Sequence, residues 1–218
     1  MEQWGSERIF RDGRSLYTPN ATPGVRVYGE TLRTVGATEY REWDPFRSKL
    51  AGALLRGLPV DLLGGVRSAL YLGGAHGTTV SHLSDAWPGA TVYVVEKSPT
   101  SFAPLLALAR GRSNLLPILA DAQLPERYQA DVGTVDFLYQ DVAQRTQAQI
   151  FVENARACLS DRGAGVLLLK VRSVTQRGSA SAIVREARRV LEEGDLRVVR
   201  ETTLEPFSRE HVALAVRA

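Results

Sequence analysis

The fold is decided by one stretch, Ser68-Ala-Leu-Tyr-Leu-Gly-Gly-Ala-His-Gly-Thr-Thr-Val-Ser-His-Leu-Ser84, where a short apolar strand runs into a glycine-rich turn that opens a helix. Gly73, Gly74 and Gly77 lack Cβ atoms, so the chain can turn sharply and a ligand can lie close against its backbone. The turn lacks the G-x-G-x-x-G dinucleotide fingerprint, and the absence of a Lys after the last glycine excludes a P-loop. The stretch therefore predicts a nucleotide-type binding turn of another kind.

A second apolar strand, Thr91–Val95, ends directly on Glu96. In doubly wound α/β folds, a carboxylate about 20 residues after the glycine turn accepts hydrogen bonds from ribose hydroxyls. Glu96 fits that role. The alternative, a solvated carboxylate at a strand end, would be favoured only if no glycine turn lay upstream.

From residue 68 onward, strands alternate with helices, which predicts a mainly parallel sheet covered by helices on both faces. Helices are expected at about 99–110, 146–159 and 179–193. The last two strands, joined by residues 205–210, are expected to form a hairpin, so one of them must run antiparallel. The predicted strands are 68–72, 91–95, 116–119, 134–139, 165–169, 196–204 and 211–217.

Residues 1–45 are predicted to form a small antiparallel β lobe, followed by a Rossmann-like domain over residues 46–218. The lobe is indicated by short extended runs at 8–10, 16–17 and 25–28, separated by the turn signals Asp12-Gly13 and Thr22-Pro-Gly24. Asp44 is expected to cap the next helix, with Pro45 in its first turn. That helix contains Lys49.

Composition narrows the class of protein. A chain of 218 residues with 44% hydrophobic content can bury a full core. The single Cys158 excludes a disulfide framework within the chain. Because the sequence also shows no signal peptide or transmembrane run, it predicts a cytoplasmic protein. No Cys/His cluster is present, so no structural zinc is expected. The net charge of +3 permits contact with RNA without requiring it.

Lysine is scarce in this chain: 24 of the 27 basic residues are Arg, and the three lysines are Lys49, Lys97 and Lys170. Arginine is effectively never deprotonated, whereas a lysine ammonium is compact and can give up a proton. Lysine retained against this bias indicates positions where that chemistry is needed, and chance retention is the alternative for any single one.

The order of the elements places a site at one sheet edge. Asp121, Asp141 and Lys170 each lie at or just past the carboxyl end of a parallel strand, as do the glycine turn and Glu96. An antiparallel last strand begins at the edge where the parallel strands end. His211 is therefore expected at the same site.

With these residues placed, the chain resembles the fibrillarin family of archaeal-type RNA 2'-O-methyltransferases, which have the class I S-adenosylmethionine-dependent fold. The resemblance covers nearly the whole length. The matching runs are Val27–Glu30, Tyr40–Leu50, Gly77–His82, Asp121-Ala122, Asp141–Gln144, Lys170–Ser173 and Leu204–Phe207 with His211.

The resemblance implies S-adenosyl-L-methionine as cofactor. The glycine turn, with Gly73, Gly77, Thr78 and Thr79, would hold its methionine portion, and Glu96 and Lys97 would flank its ribose and adenine. Asp121 and Ala122 would read the adenine. The residues expected on the sulfonium side are Asp141, Val142, Ala143 and Gln144.

The family's catalytic set of Lys, Asp, Lys and His corresponds here to Lys49, Asp141, Lys170 and His211. The implied reaction is methylation of ribose 2'-hydroxyls of rRNA or tRNA. By the same resemblance, the enzyme works in a box C/D guide ribonucleoprotein with a Nop-family scaffold protein and a kink-turn-binding protein of ribosomal type.

Two features depart from the family pattern: His76 replaces a small residue, and Lys97 replaces an apolar or aromatic one against the adenine. His76 and His82 are interpreted as turn and helix-surface residues. The sequence leaves two alternatives to methyl transfer. A nicotinamide-linked oxidoreductase would need the missing fingerprint and has no use for Lys49, whereas a non-catalytic RNA-binding scaffold subunit is disfavoured by the complete catalytic set.

Overall fold

The computed structural model describes residues 1–5, 7–171 and 179–218, so Arg172 and Ser173 of the family-like run lie outside the described residues. The chain begins with β1 (Glu2–Gln3), β2 (Phe10–Asp12), β3 (Ser15–Pro19), β4 (Leu32–Val35), β5 (Thr38–Trp43) and α1 (Lys49–Leu55). It continues with β6 (Ser68–Leu72), α2 (Thr78–Ala86), β7 (Thr91–Glu96), α3 (Pro99–Ala109), β8 (Leu115–Leu119) and α4 (Gln129–Val132). The remaining elements are β9 (Val135–Gln140), α5 (Gln147–Cys158), β10 (Leu159–Lys170), α6 (Ala180–Glu193), β11 (Arg197–Thr203) and β12 (His211–Arg217).

The larger sheet has the strand order β11-β12-β10-β9-β6-β7-β8. Strands β6 to β10 run parallel, and β12 runs antiparallel to both of its neighbours. The predicted mainly parallel sheet with an antiparallel last strand is therefore confirmed. The strand order reverses beside β6, and ligands of open α/β sheets bind at such a switch point.

The smaller sheet is antiparallel throughout, in the order β1-β2-β3-β5-β4. The predicted β lobe is confirmed, but the run 25–28 is not one of its strands. Instead this segment wraps around the carboxylate of Glu30, which accepts hydrogen bonds from the backbone N–H groups of Val27 and Tyr28 at 2.8–3.1 Å. These local hydrogen bonds to Glu30 thus outweigh the preference of the β-branched residues in this segment for an extended strand. The division of the chain at residue 45 remains a prediction.

The predicted cap of α1 is also wrong. Ser48 caps this helix by accepting a hydrogen bond from the N–H of Ala51. Asp44 instead closes a turn ahead of the helix, because its side chain accepts from the N–H of Phe46 at 2.8 Å and its carbonyl accepts from the N–H groups of Arg47 and Ser48. Lys49 consequently becomes the first residue of α1.

A buried ionic cluster joins the β lobe to α2. Arg41, with 0% of its side chain exposed, binds Glu30 Oε1 at 2.5 Å, Asp85 Oδ2 at 2.6 Å and Ser81 Oγ at 2.9 Å. Arg112 binds the other oxygen of Asp85 at 3.2 Å. Each charge is paired, so the cluster meets the condition under which buried ions are tolerated.

His82 lies in the same interface, and its interpretation as a helix-surface residue is wrong. It is fully buried because the β lobe covers this face of α2. Its ring nitrogens lie 2.8 Å from Thr18 Oγ1 and 2.8 Å from the Tyr28 hydroxyl, and its ring stacks on Trp43. Burial, reinforced by the charges of Arg41 and Arg112, holds the pKa of His82 well below its usual range, so the ring is neutral.

Replacing Arg41 with Leu is expected to lower the free energy of unfolding by about 3–5 kcal/mol, because Glu30 would lose its cationic partner inside the protein. Urea denaturation measures the change. Arg33→Leu is the matched control, since its pair with Asp12 is exposed by 46% and 41% and its loss should leave the free energy of unfolding nearly unchanged. Equal losses in the two variants would contradict this account.

Candidate active site

The glycine turn after β6 brings the ends of two strands into close contact. Gly73 has φ +86°, a left-handed conformation that favours glycine. A Cβ at this position would lie 2.5 Å from the carbonyl oxygen of Asp141. Gly73 therefore lets the turn after β6 approach the residue that follows β9.

Glu96 closes the turn from the end of β7. Its carboxylate accepts hydrogen bonds from the N–H of Ala75 at 2.9 Å and from the N–H of Ser98 at 2.8 Å, and only 9% of the residue is exposed. A carboxylate offers about four lone-pair sites, so both oxygens retain acceptor capacity. Glu96 can thus hold the turn and still accept hydrogen bonds from a ligand.

A cavity of about 330 Å³ opens between the turn and the ends of the parallel strands. Its volume lies within the range of about 300–1,000 Å³ that is usual for cofactor sites. Of the predicted cofactor residues, Gly77, Thr78 and Thr79 are not part of its wall. Its lining comprises Gly73, Ala75, Val95, Glu96, Lys97, Ala120, Asp121, Ala122, Asp141, Val142, Ala143 and Gln144.

Thr79 has another partner in this structure. Its hydroxyl lies 2.9 Å from the hydroxyl of Ser48, the cap of α1, and the residue is buried. The start of α2 is thereby tied to the start of α1. His76, as predicted, lies exposed in the turn.

Asp121 is one of three carboxylates in the lining of the cavity, with Glu96 and Asp141. Its partial burial favours the neutral form, but hydrogen bonds from the N–H of Gln123 and from Lys97 and Gln144 outweigh that effect and lower the pKa of Asp121. Gln144 donates to Asp121 through Nε2 at 3.4 Å, while its buried Oε1 has no partner among the described residues. A ligand that donates a hydrogen bond would satisfy this oxygen, so these acceptors fit an adenosine-bearing cofactor, whose ribose hydroxyls and adenine amino group are donors.

Beside the cavity, Lys49 Nζ binds both oxygens of Asp141, at 2.9 Å and 2.6 Å. The two side chains are 31% and 21% exposed, so the pair faces an open space rather than the core. The backbone of Asp141 is held by its N–H, which donates to the carbonyl of Leu72 at 3.0 Å. Among the described residues, the ion-pair partner of Asp141 is therefore Lys49 and not Lys170.

Lys170 and His211 are direct neighbours in the register of β10 and β12. The hydroxyl of Ser208 lies 2.8 Å from His211 Nδ1. The pKa of His211 is lowered from 6.5 to about 4, mainly by burial and then by the positive charges of Lys49 and Lys170. The negative charges of Asp141 and Glu210 oppose this shift without cancelling it. The structure thus brings Lys49, Asp141, Lys170 and His211 to one edge of the sheet.

The sequence prediction missed two residues that hold this group in place. Ser48 sets the start of α1 at Lys49, and the preference for Ser at helix caps was the signal that could have indicated it. Gln147 hydrogen-bonds the backbone of Lys170, and no local pattern marks it. Within the described residues, no cluster of three His, Cys, Asp or Glu side chains could hold a metal ion, and no helix is long and apolar enough to cross a membrane.

His211 is expected to remain neutral in the folded protein down to about pH 4, which an NMR titration of its ring signals measures. Because its pKa is about 6.5 in the unfolded chain, protons bind the unfolded state first as the pH falls. The contribution of His211 to stability is therefore complete above pH 6.5 and declines between pH 6.5 and 4. A ring that titrates near 6.5 in the folded protein would contradict the effect assigned to its partial burial.

The chain is similar over nearly its whole length to proteins of one family. The family model described as Fibrillarin matches residues 7–218. The fibrillarin-like rRNA/tRNA 2'-O-methyltransferase of Methanothermobacter thermautotrophicus is 40% identical over 213 residues, which cover 98% of this chain and 95% of that protein.

Two solved structures are also similar. Aeropyrum pernix fibrillarin in complex with natively bound S-adenosyl-L-methionine has a TM-score of 0.86 and 42% identity, with 93% of this chain and 88% of that chain covered. A fibrillarin/Nop5p complex contains a chain with a TM-score of 0.87 and 34% identity, with 99% of both chains covered.

Proposed function

This chain belongs to the fibrillarin family, and we propose that it transfers the methyl group of S-adenosylmethionine to ribose 2'-hydroxyls of rRNA or tRNA. The observation that carries this proposal is the pair of Lys49 and Asp141 beside the cofactor cavity, together with the neighbouring residues Lys170 and His211. A non-catalytic scaffold subunit would have no use for this complete set. An oxidoreductase would have no use for Lys49.

The cavity walls supply the contacts that the cofactor needs. Glu96 would accept hydrogen bonds from its ribose hydroxyls, and Asp121 and Gln144 would bond its adenine. Bound there, the cofactor supplies a methyl group on a positively charged sulfur. Asp141 lies on both the cavity wall and the Lys49 pair, so the proposed methyl position lies next to the proposed catalytic residues.

The chemical difficulty is the nucleophile, because a ribose hydroxyl is a very weak acid. As the 2'-oxygen forms its bond to the methyl carbon, the carbon–sulfur bond breaks, its electron pair stays on sulfur, and the hydroxyl proton must leave. We assign Lys170 and Asp141 to orient the hydroxyl, and one of these two groups, the Lys170 amine or the Asp141 carboxylate, accepts its proton. Lys49 holds the carboxylate of Asp141, and neutral His211 completes the hydrogen-bond network.

We also propose that the chain acts in a ribonucleoprotein, with a Nop-family scaffold, a kink-turn-binding protein and a box C/D guide RNA. The similar chain in the fibrillarin/Nop5p complex supports the first of these partners. The net charge of only +3 supports a division of labour in which base pairing, rather than this chain, selects the target. The direct test is methylation of a defined target RNA by this chain with and without those partners, with activity expected only after assembly.

Replacing Glu96 with Ala is expected to weaken binding of S-adenosylmethionine, because hydrogen bonds to a charged acceptor contribute about 1.5–3 kcal/mol. Calorimetry on the isolated chain measures the affinity. Glu153→Ala, which removes an exposed carboxylate of α5, is the control and should bind normally. Unchanged affinity in Glu96→Ala would remove the assignment of Glu96 to the ribose, and tight binding of NAD would favour an oxidoreductase.

Lys170→Arg is expected to abolish methyl transfer while the fold and the cofactor affinity stay nearly intact. Arginine preserves the charge, but it is not deprotonated and its planar group is larger than an ammonium. A structural ion pair with Asp141 would tolerate arginine, yet that carboxylate is already bound by Lys49. Single-turnover methylation by the assembled particle measures the effect. A rate near that of the unaltered protein would make Lys170 a structural residue.

A further inference from the structure

The end of β10 lacks a strand neighbour on one side. The pairing of β9 with β10 ends at Gln140 and Leu167, so residues 168–170 extend beyond it. On the other side, β12 continues to pair with β10 as far as Lys170 and His211, and the N–H of Val171 donates to the carbonyl of Glu210 at 3.0 Å. Backbone groups of successive strand residues point to opposite sides, so those of Lys170 point away from β12.

One side chain satisfies both of these backbone groups. Gln147 Oε1 accepts the hydrogen bond of the Lys170 N–H at 2.8 Å, and Gln147 Nε2 donates to the Lys170 carbonyl at 3.3 Å. Gln147 is only 1% exposed. Its carboxamide therefore takes the place of the peptide group that a neighbouring strand would have provided.

Gln147 is itself held by the strand that carries Asp141. Gln140, the residue before Asp141, is fully buried, and its Nε2 donates to the carbonyl of Gln147 at 2.7 Å. A continuous path of hydrogen bonds thus runs from the end of β9, through the first residue of α5, to the end of β10. It connects the strand end that precedes Asp141 to the backbone of Lys170.

We infer that Gln147 is a positioning residue for methyl transfer, which fixes the backbone of Lys170 so that its amino group reaches the ribose hydroxyl beside Asp141. This inference rests on the role proposed above for Lys170. The arrangement requires an amide, because one group must accept from an N–H and donate to a carbonyl. Glutamate keeps only the acceptor at physiological pH, methionine keeps neither, and asparagine is one methylene too short.

The first experiment compares Gln147→Met and Gln147→Glu with the unaltered protein in a particle assembled with guide RNA and scaffold. The single-turnover methylation rate is expected to fall about tenfold or more in Gln147→Met and less in Gln147→Glu. Affinity for S-adenosylmethionine, measured by calorimetry, and affinity for the target RNA should stay unchanged. Gln149→Met, at an exposed position of the same helix, is the control and should react normally. A lower melting temperature with an unchanged rate would overturn the inference.

The second experiment tests whether Gln147 acts through Lys170. In a double-mutant cycle, Gln147→Met should slow the reaction in the unaltered protein but should not slow the residual rate of Lys170→Met any further. Equal slowing in both backgrounds would overturn the inference while leaving the role of Lys170 intact. An unaltered rate in Lys170→Met alone would overturn the proposed role of Lys170, and with it the positioning role. Faster exchange of the Lys170 amide hydrogen in Gln147→Met is expected as the direct sign that the bridge is lost.

Discussion

The guanidinium group of Arg41 is the constraint on which the rest of the structure depends. It lies fully buried between the β lobe and α2 and binds Glu30 on one side and Asp85 and Ser81 on the other. A buried charge is tolerated only when it is paired. The lobe must therefore pack on α2 in the position that brings Arg41 to Asp85 and Ser81. The hydrogen bonds of His82 to Thr18 and Tyr28 stabilise the same packing of the lobe on α2.

The consequence reaches the candidate active site through α1. This helix follows β5 of the lobe, and the hydroxyl of its cap Ser48 contacts Thr79 at the start of α2. Lys49, the first residue of α1, then reaches Asp141 at the end of β9. One of the two lysines proposed as catalytic therefore lies in the helix that directly follows the lobe, and the other lies at the end of the parallel sheet, so their relative position depends on how the lobe packs on α2.

Much of this arrangement could be predicted from the sequence, because it depends on local patterns. Apolar strands that end on Glu96, Asp141 and Lys170 place those residues at one edge, and a final hairpin brings His211 there. The burial of His82 could not be predicted, since it depends on the packing of a segment more than 50 residues away in sequence. The cap at Ser48 was missed because Asp44-Pro45 is an equally good local signal for a helix start. Ala75, Val95 and Ala120 were missed because small apolar residues on a cavity wall look like core residues.

The low pKa of His211 also bears on how the site accommodates its cofactor. The ring is neutral in the folded protein and therefore adds no positive charge beside Lys49 and Lys170. A protonated His211 would place a positive charge near a cofactor whose sulfur is already positive, and binding would be disfavoured. Keeping His211 neutral therefore reconciles binding of a cationic cofactor with the two lysines of the proposed mechanism.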